Sequence, residues 1–160
     1  MDGDRLEWVR QIVDRILRGQ PDQEESRCGF VHLYGVSAVC VVLALKRGLD
    51  PHLSAIAGML HDIWTYKVSD SPEHGRLSAL EAERILRESG RFSAAEMEEV
   101  CAAIAHHSAK GEIHGEMAEL LKDADVLQHY LYNPGLMTAP QKSQRLEDIL
   151  AELGLYPQES

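Results

Sequence analysis

The chain is short of several things, and each shortage removes a class of protein. It has only three cysteines in 160 residues, Cys28, Cys40 and Cys101, and no CxxC spacing among them. An odd, scattered set of this kind does not read as a disulfide framework, and the expected compartment is a reducing cytoplasm. Two Phe and two Trp are few, while Ala, Leu, Glu and Arg are plentiful, which favours helix over sheet. Positive charge is scarce. The formal net charge is −10, the reverse of the basic surface that nucleic-acid duplexes or acidic membranes attract. The longest apolar run, Val36 to Leu45, falls far below the ~20 residues of a membrane span. The opening MDGDRLEWVRQ lacks the apolar stretch of a signal peptide. These features predict one domain spanning 1–160, with no membrane and no nucleic-acid duplex among its partners.

What is present is helical periodicity. Trp8, Val9, Ile12, Ile16 and Leu17 predict an amphipathic helix over 4–18 with Asp4 as N-cap, and Asp22 to Glu25 reads as a solvated connector. A second helix is expected from Phe30 to Lys46, its stripe running His32, Val36, Val39, Leu43, with Gly48 as C-cap. Asp50-Pro51 opens a third helix that reaches about His61 or a few residues beyond. Further helices follow over LSALEAERILRES, over SAAEMEEVCAAIAHH behind a Ser93/Glu96 capping box, from Glu116 to about Tyr132, and over 141–152; the tail from Pro157 is expected to fray. No strand is apparent. The expectation is an all-α domain of six or seven helices.

The chemistry gathers around His61-Asp62, an imidazole and a carboxylate delivered at the end of the apolar run Leu53 to Leu60. A carboxylate on a buried face needs a positive partner, and no Lys or Arg lies nearer in sequence than Lys67. A metal cation would serve, and His32, His74, His107 and Asp125 offer more ligands. Of the two aspartates in KDADVLQHY, Asp125 continues the inward stripe of Ala118 and Leu121. Asp123 continues Glu116 and Glu119 and is expected at the helix surface or as support. Two imidazoles and two carboxylates from His32, His61, Asp62 and Asp125 suit Fe, Mn, Co, Ni or Zn better than Mg or Ca.

These residues resemble the H…HD…D signature of the HD superfamily of metal-dependent phosphohydrolases. HLYGVSAVCVVLALKRGLDPHLSAIAGMLHDI resembles the first two core helices of that family, and KDADVLQ resembles its terminal Asp-bearing helix. The likeness covers about residues 27–132, with flanking helices on either side. It implies metal-activated hydrolysis of a phosphate ester or anhydride in a nucleotide or another small phosphorylated compound. His74, in EHGRLSA, and His107, in AIAHH, resemble the extra histidines with which some branches hold a second metal, which Asp62 would then bridge. His106 would donate a proton to the leaving group or a phosphoryl oxygen, and Lys67 and Arg27 would contact phosphate. No GYP motif follows AHHSAKGEIHG, which departs from the cyclic-dinucleotide branch. The same dinuclear ligands occur in diiron oxygenases of the superfamily, so an oxygenase is the alternative chemistry, and a non-catalytic nucleotide sensor the alternative role. His52 and His129 read as structural.

Overall fold

The computed structural model describes residues 2–135 and 140–155; the tail from Pro157 lies outside them. Among the described residues there are eight helices and no strand. They are α1 (Asp2–Arg18), α2 (Gln23–Arg47), α3 (Pro51–Leu60), α4 (Ile63–Lys67), α5 (His74–Ser89), α6 (Ala94–His106), α7 (Glu116–Tyr132) and α8 (Pro140–Glu152). The all-α class matches the sequence expectation. The extra helix arises because the third one breaks at His61-Asp62. Asp62 leaves helical geometry at φ −116°, ψ 21°, and the chain restarts as the short α4.

Most boundaries follow local chemistry. Asp50 caps α3 through the amides of His52 and Leu53, Pro51 occupies its first turn, and Gly48 closes α2 at φ 70°. Ser93 and Glu96 form the reciprocal capping box of α6. Three starts differ from expectation. α1 begins at Asp2 rather than after Asp4. The stretch expected as a connector is the start of α2: Asp22 accepts from the amides of Glu24 and Glu25, which places two acidic residues in the first turn, where the helix dipole favours them. α5 begins at His74 instead of past Gly75.

α2 is the spine, packed against α3 and α7 and touching α1 and α4. The expected stripe His32, Val36, Val39, Leu43 is buried along it. By length and composition α2 would also pass for a membrane-crossing helix, because uncharged Gly, Ser, Tyr and His extend its apolar stretch beyond Val36–Leu45. In the fold, 44% of its most apolar window is buried inside the molecule. Its close approach to α3 depends on Gly58, where an added Cβ would meet Ser37 Cα at 2.7 Å. That proximity brings His32 on α2 beside His61 at the end of α3.

Candidate metal centre

Three of the four converging imidazoles sit at a helix end or a helix start, each held by the carbonyl three residues before it. His61, the C-cap of α3, donates Nδ1–H to Gly58 O at 2.7 Å. His107, the C-cap of α6, does the same to Ile104 O at 2.7 Å. His74, opening α5, donates Nδ1–H to Ser71 O at 2.9 Å. The fourth, His32, is held through Nδ1 by Gln128 Oε1 at 2.9 Å. A carbonyl can only accept, so each ring is fixed with its proton on Nδ1 and its lone pair on Nε2.

Those lone pairs face one another and two carboxylates. His32 Nε2 lies 3.0 Å from His61 Nε2, and Asp62 Oδ2 lies 3.1 and 3.3 Å from the two. Asp125 Oδ1 approaches the same nitrogens at 3.5 and 3.7 Å. The other oxygen of Asp62, Oδ1, lies 3.1 Å from His107 Nε2 and 3.7 Å from His74 Nε2. Asp62 therefore divides its two oxygens between two pairs of imidazoles. Four groupings with metal-ligand proximity result among the described residues: His32, His61 and Asp62; Asp62, His74 and His107; His61, His107 and Asp125; and His32, Asp125 and His129.

Such a cluster of acceptors is unfavourable unless a cation or a proton sits among them. Asp62 Oδ1 and Asp125 Oδ1 are buried, and neither accepts a hydrogen bond of acceptable geometry, although ring nitrogens lie close. Buried orphaned oxygens of this kind cost free energy that a bound cation removes. The electrostatics agree. Burial opposes a charged His61, but Asp62 and Asp125 outweigh it and push His61 up to about 10. Burial would likewise raise Asp62, yet His61, His107 and His32 hold it well below the ordinary carboxylate range. At His107 burial prevails and lowers the pKa. A set of four imidazole nitrogens and two carboxylates fits divalent transition metals, and the carbonyl ends of α3 and α6 add negative potential beside it.

The structure thus brings His32, His61, Asp62, Asp125, His74 and His107 together. It does not bring His106, Lys67 or Arg27 to the cluster. Neighbouring helical residues point about 100° apart, so with His107 inward His106 faces outward, exposed and stacked on His114 with ring centroids 3.9 Å apart. Lys67 Nζ is bonded to Glu81 at 2.6 Å, a carboxylate also held by Arg84. Arg27 is exposed and paired with Glu24 at 2.8 Å. Asp123 is not at the surface either. It is buried between Arg47 at 2.6 Å and Arg145 at 2.7 Å.

Three participants were not expected. Lys110 Nζ donates to Asp125 Oδ2 at 2.7 Å and to His107 O at 3.0 Å. His129 Nε2 lies 3.4 Å from Asp125 Oδ1. Gln128 orients His32. Burial alone would raise Asp125, but His129, His61 and Lys110 hold it well below the usual carboxylate range. Gln128 and His129 stand three and four residues after Asp125, so helical spacing contained the signal for both. Lys110 lies beyond the end of α6, where periodicity is silent.

A family model described as the HD domain matches residues 29–130, well over half of the chain. The chain belongs to the HD domain family. No curated protein and no solved structure matches it. The matched span carries every residue of the cluster, from His32 on α2 to Asp125 on α7.

Proposed function

We propose that this HD-domain protein is a phosphohydrolase that holds two divalent transition-metal ions, drawn from Fe, Mn, Co, Ni and Zn, and cleaves a phosphate ester or anhydride bond of a small phosphorylated compound, nucleotides among the candidates. The observation that carries the reading is the division of Asp62: one oxygen toward His32 and His61, the other toward His107 and His74. His32, His61, Asp62 and Asp125 would hold one ion, and Asp62, His74 and His107 the other. Bound divalent metals supply Lewis acidity toward phosphoryl oxygens and acidify water to a pKa near ~7.

The chain's own contribution is to keep six donors ready. The carbonyls of Gly58, Ile104 and Ser71 orient three rings and hold them in the ligating tautomer. Lys110 occupies Asp125 Oδ2 and leaves Oδ1 as the free donor. Asp62 and His74 also line an open cleft of about 430 Å³, which gives a small molecule access to one side of the cluster.

The test is phosphate release from a panel of phosphomonoesters, nucleotides and dinucleoside polyphosphates by protein loaded with each metal, run beside oxygen uptake by the Fe-loaded form. Metal-dependent phosphate release that Asp62→Ala abolishes supports the proposal. Oxygen uptake without phosphate release would reassign the site to oxygenase chemistry. Neither activity, with metal bound, would leave a sensor.

A further inference from the structure

The cleft over Asp62 and His74 has two ends of opposite character. Its inner side is formed by the half-buried Asp62 and His74, and behind it Asp62 Oδ1 lies buried, without a hydrogen bond, beside His107 and His74. Its mouth is lined by Glu24 and Glu25 from the first turn of α2 and by Asp70 from the 68–73 loop. No lysine or arginine lines it. Arg27 is paired with Glu24 at 2.8 Å and also bonds Tyr132; among the described residues neither Glu25 nor Asp70 forms an ion pair, and Asp70 Oδ1 accepts from the Ser71 amide. Lys67, the nearest cation in sequence to Asp62, is bound to Glu81.

With metal held by Asp62 and His74, the cleft would be electropositive on its inner side and anionic at its exposed rim, and that polarity would impose a direction on what enters. A phosphate can reach the inner side, but additional negative charge is left facing like charge at the mouth, where it is repelled. A nucleoside polyphosphate places several anionic groups along that path. A molecule with phosphate at one end and an ammonium group at the other lies along the field.

We infer that the substrate is a small zwitterionic phosphate compound, its phosphate at the Asp62 side and its cationic nitrogen at Glu25 and Asp70. This rests on the phosphohydrolase reading and narrows it away from nucleoside polyphosphates. Glu25 and Asp70 are then specificity residues, acting on the part of the substrate that does not react.

The experiment measures calorimetric affinity and phosphate release side by side for metal-loaded protein, with O-phosphoethanolamine, glycerol phosphate and ATP as probes. The amine-bearing ester is expected to bind about tenfold more tightly than glycerol phosphate, with ATP weakest, and the gap should narrow as salt rises. In Glu25→Gln/Asp70→Asn, both changes at exposed positions, the preference should shrink to about twofold or less, appearing in KM rather than kcat. Equal affinities, a preference for ATP, or a preference that survives the double substitution would overturn the inference. If no probe releases phosphate, the phosphohydrolase reading fails, while the affinity ranking still decides the charge selectivity of the cleft.

Discussion

Asp123 and Asp125 stand two residues apart on α7, both buried, and they have opposite fates. Asp123 is saturated: Arg47 takes one oxygen at 2.6 Å and Arg145 the other at 2.7 Å, and Arg47 also grips Glu152. Asp125 has one oxygen on Lys110 and the other, Oδ1, buried without a satisfactory hydrogen bond. The first carboxylate ties α2, α7 and α8 together. The second is left incomplete by the protein and points at three imidazoles. A buried carboxylate whose partners are all supplied by the chain marks architecture, and one whose partners are not marks a ligand site.

The comparison can be broken by exchanging the roles. Asp125→Ala should cut metal-dependent turnover by at least ~10³-fold, because it removes a ligand from the cluster, while Asp123→Ala should leave turnover of the folded protein within a few-fold. Steady-state kinetics at saturating metal separates the two; equal losses would mean that the aspartates share a function.

Stability should run the other way. Removing Asp123 takes one charged hydrogen-bond partner from each of two mostly enclosed guanidinium groups, Arg47 keeping Glu152 and Arg145 keeping Glu119, a loss of roughly 3 kcal/mol and a fall of about 10 °C in thermal midpoint. The same variant should still gain stability when metal is added, as the wild type does. Calorimetric melts with and without metal check both halves of that expectation.

Acid sharpens the contrast further. At Glu119 burial favours protonation, but Lys122, the His114 amide and Arg145 outweigh it and lower the pKa; at Glu152 the bond from Arg47 is the main cause of a lowered value. A carboxylate with a depressed folded pKa stabilises the fold above its unfolded value of ~4.3, and that contribution disappears as pH falls through the folded value. The thermal midpoint of metal-free protein should therefore decline as pH drops below ~4.5, and decline less steeply in Arg145→Met, which removes one partner of Glu119. A slope identical to wild type would contradict this.

The smallest effect joins the two regions. Arg145 also donates to Lys110 O at 3.1 Å, and Lys110 braces Asp125. Arg145→Met should weaken metal affinity by about threefold, less than the ten- to hundredfold typical of a direct partner of a ligand. Competition with a metal chelator resolves a change of that size.

Much of this was legible in the letters, and the reasons are local. Asp50-Pro51, Ser93…Glu96 and Gly48 act on their immediate neighbours, so caps and boundaries could be read directly. His32 and Asp125 lie on continuous apolar stripes, which fixes the direction in which they point. The readings that differ depend on what distant elements bring. Asp123 sits on a polar stripe, and only the arrival of Arg47 and Arg145 from α2 and α8 turns that stripe inward. Lys67 follows a helix in a way that suits a phosphate contact, but Glu81 on α5 already holds it. His106 and His107 are adjacent, and the helix turn admits one of them. The break at Asp62 has no breaker residue to announce it. There Asp62 leaves helical geometry with its two oxygens facing the two pairs of imidazoles, an arrangement that residues distant in sequence complete.

The central proposal is that Asp62 would serve two ions at once, and the most direct measurement is the metal-to-protein ratio of wild type and Asp62→Ala after identical loading and desalting. The account predicts a ratio near two in the wild type and near zero in the variant, with the helical circular-dichroism signal retained. A variant that keeps either ion, or a folded wild type that takes up none, would contradict it.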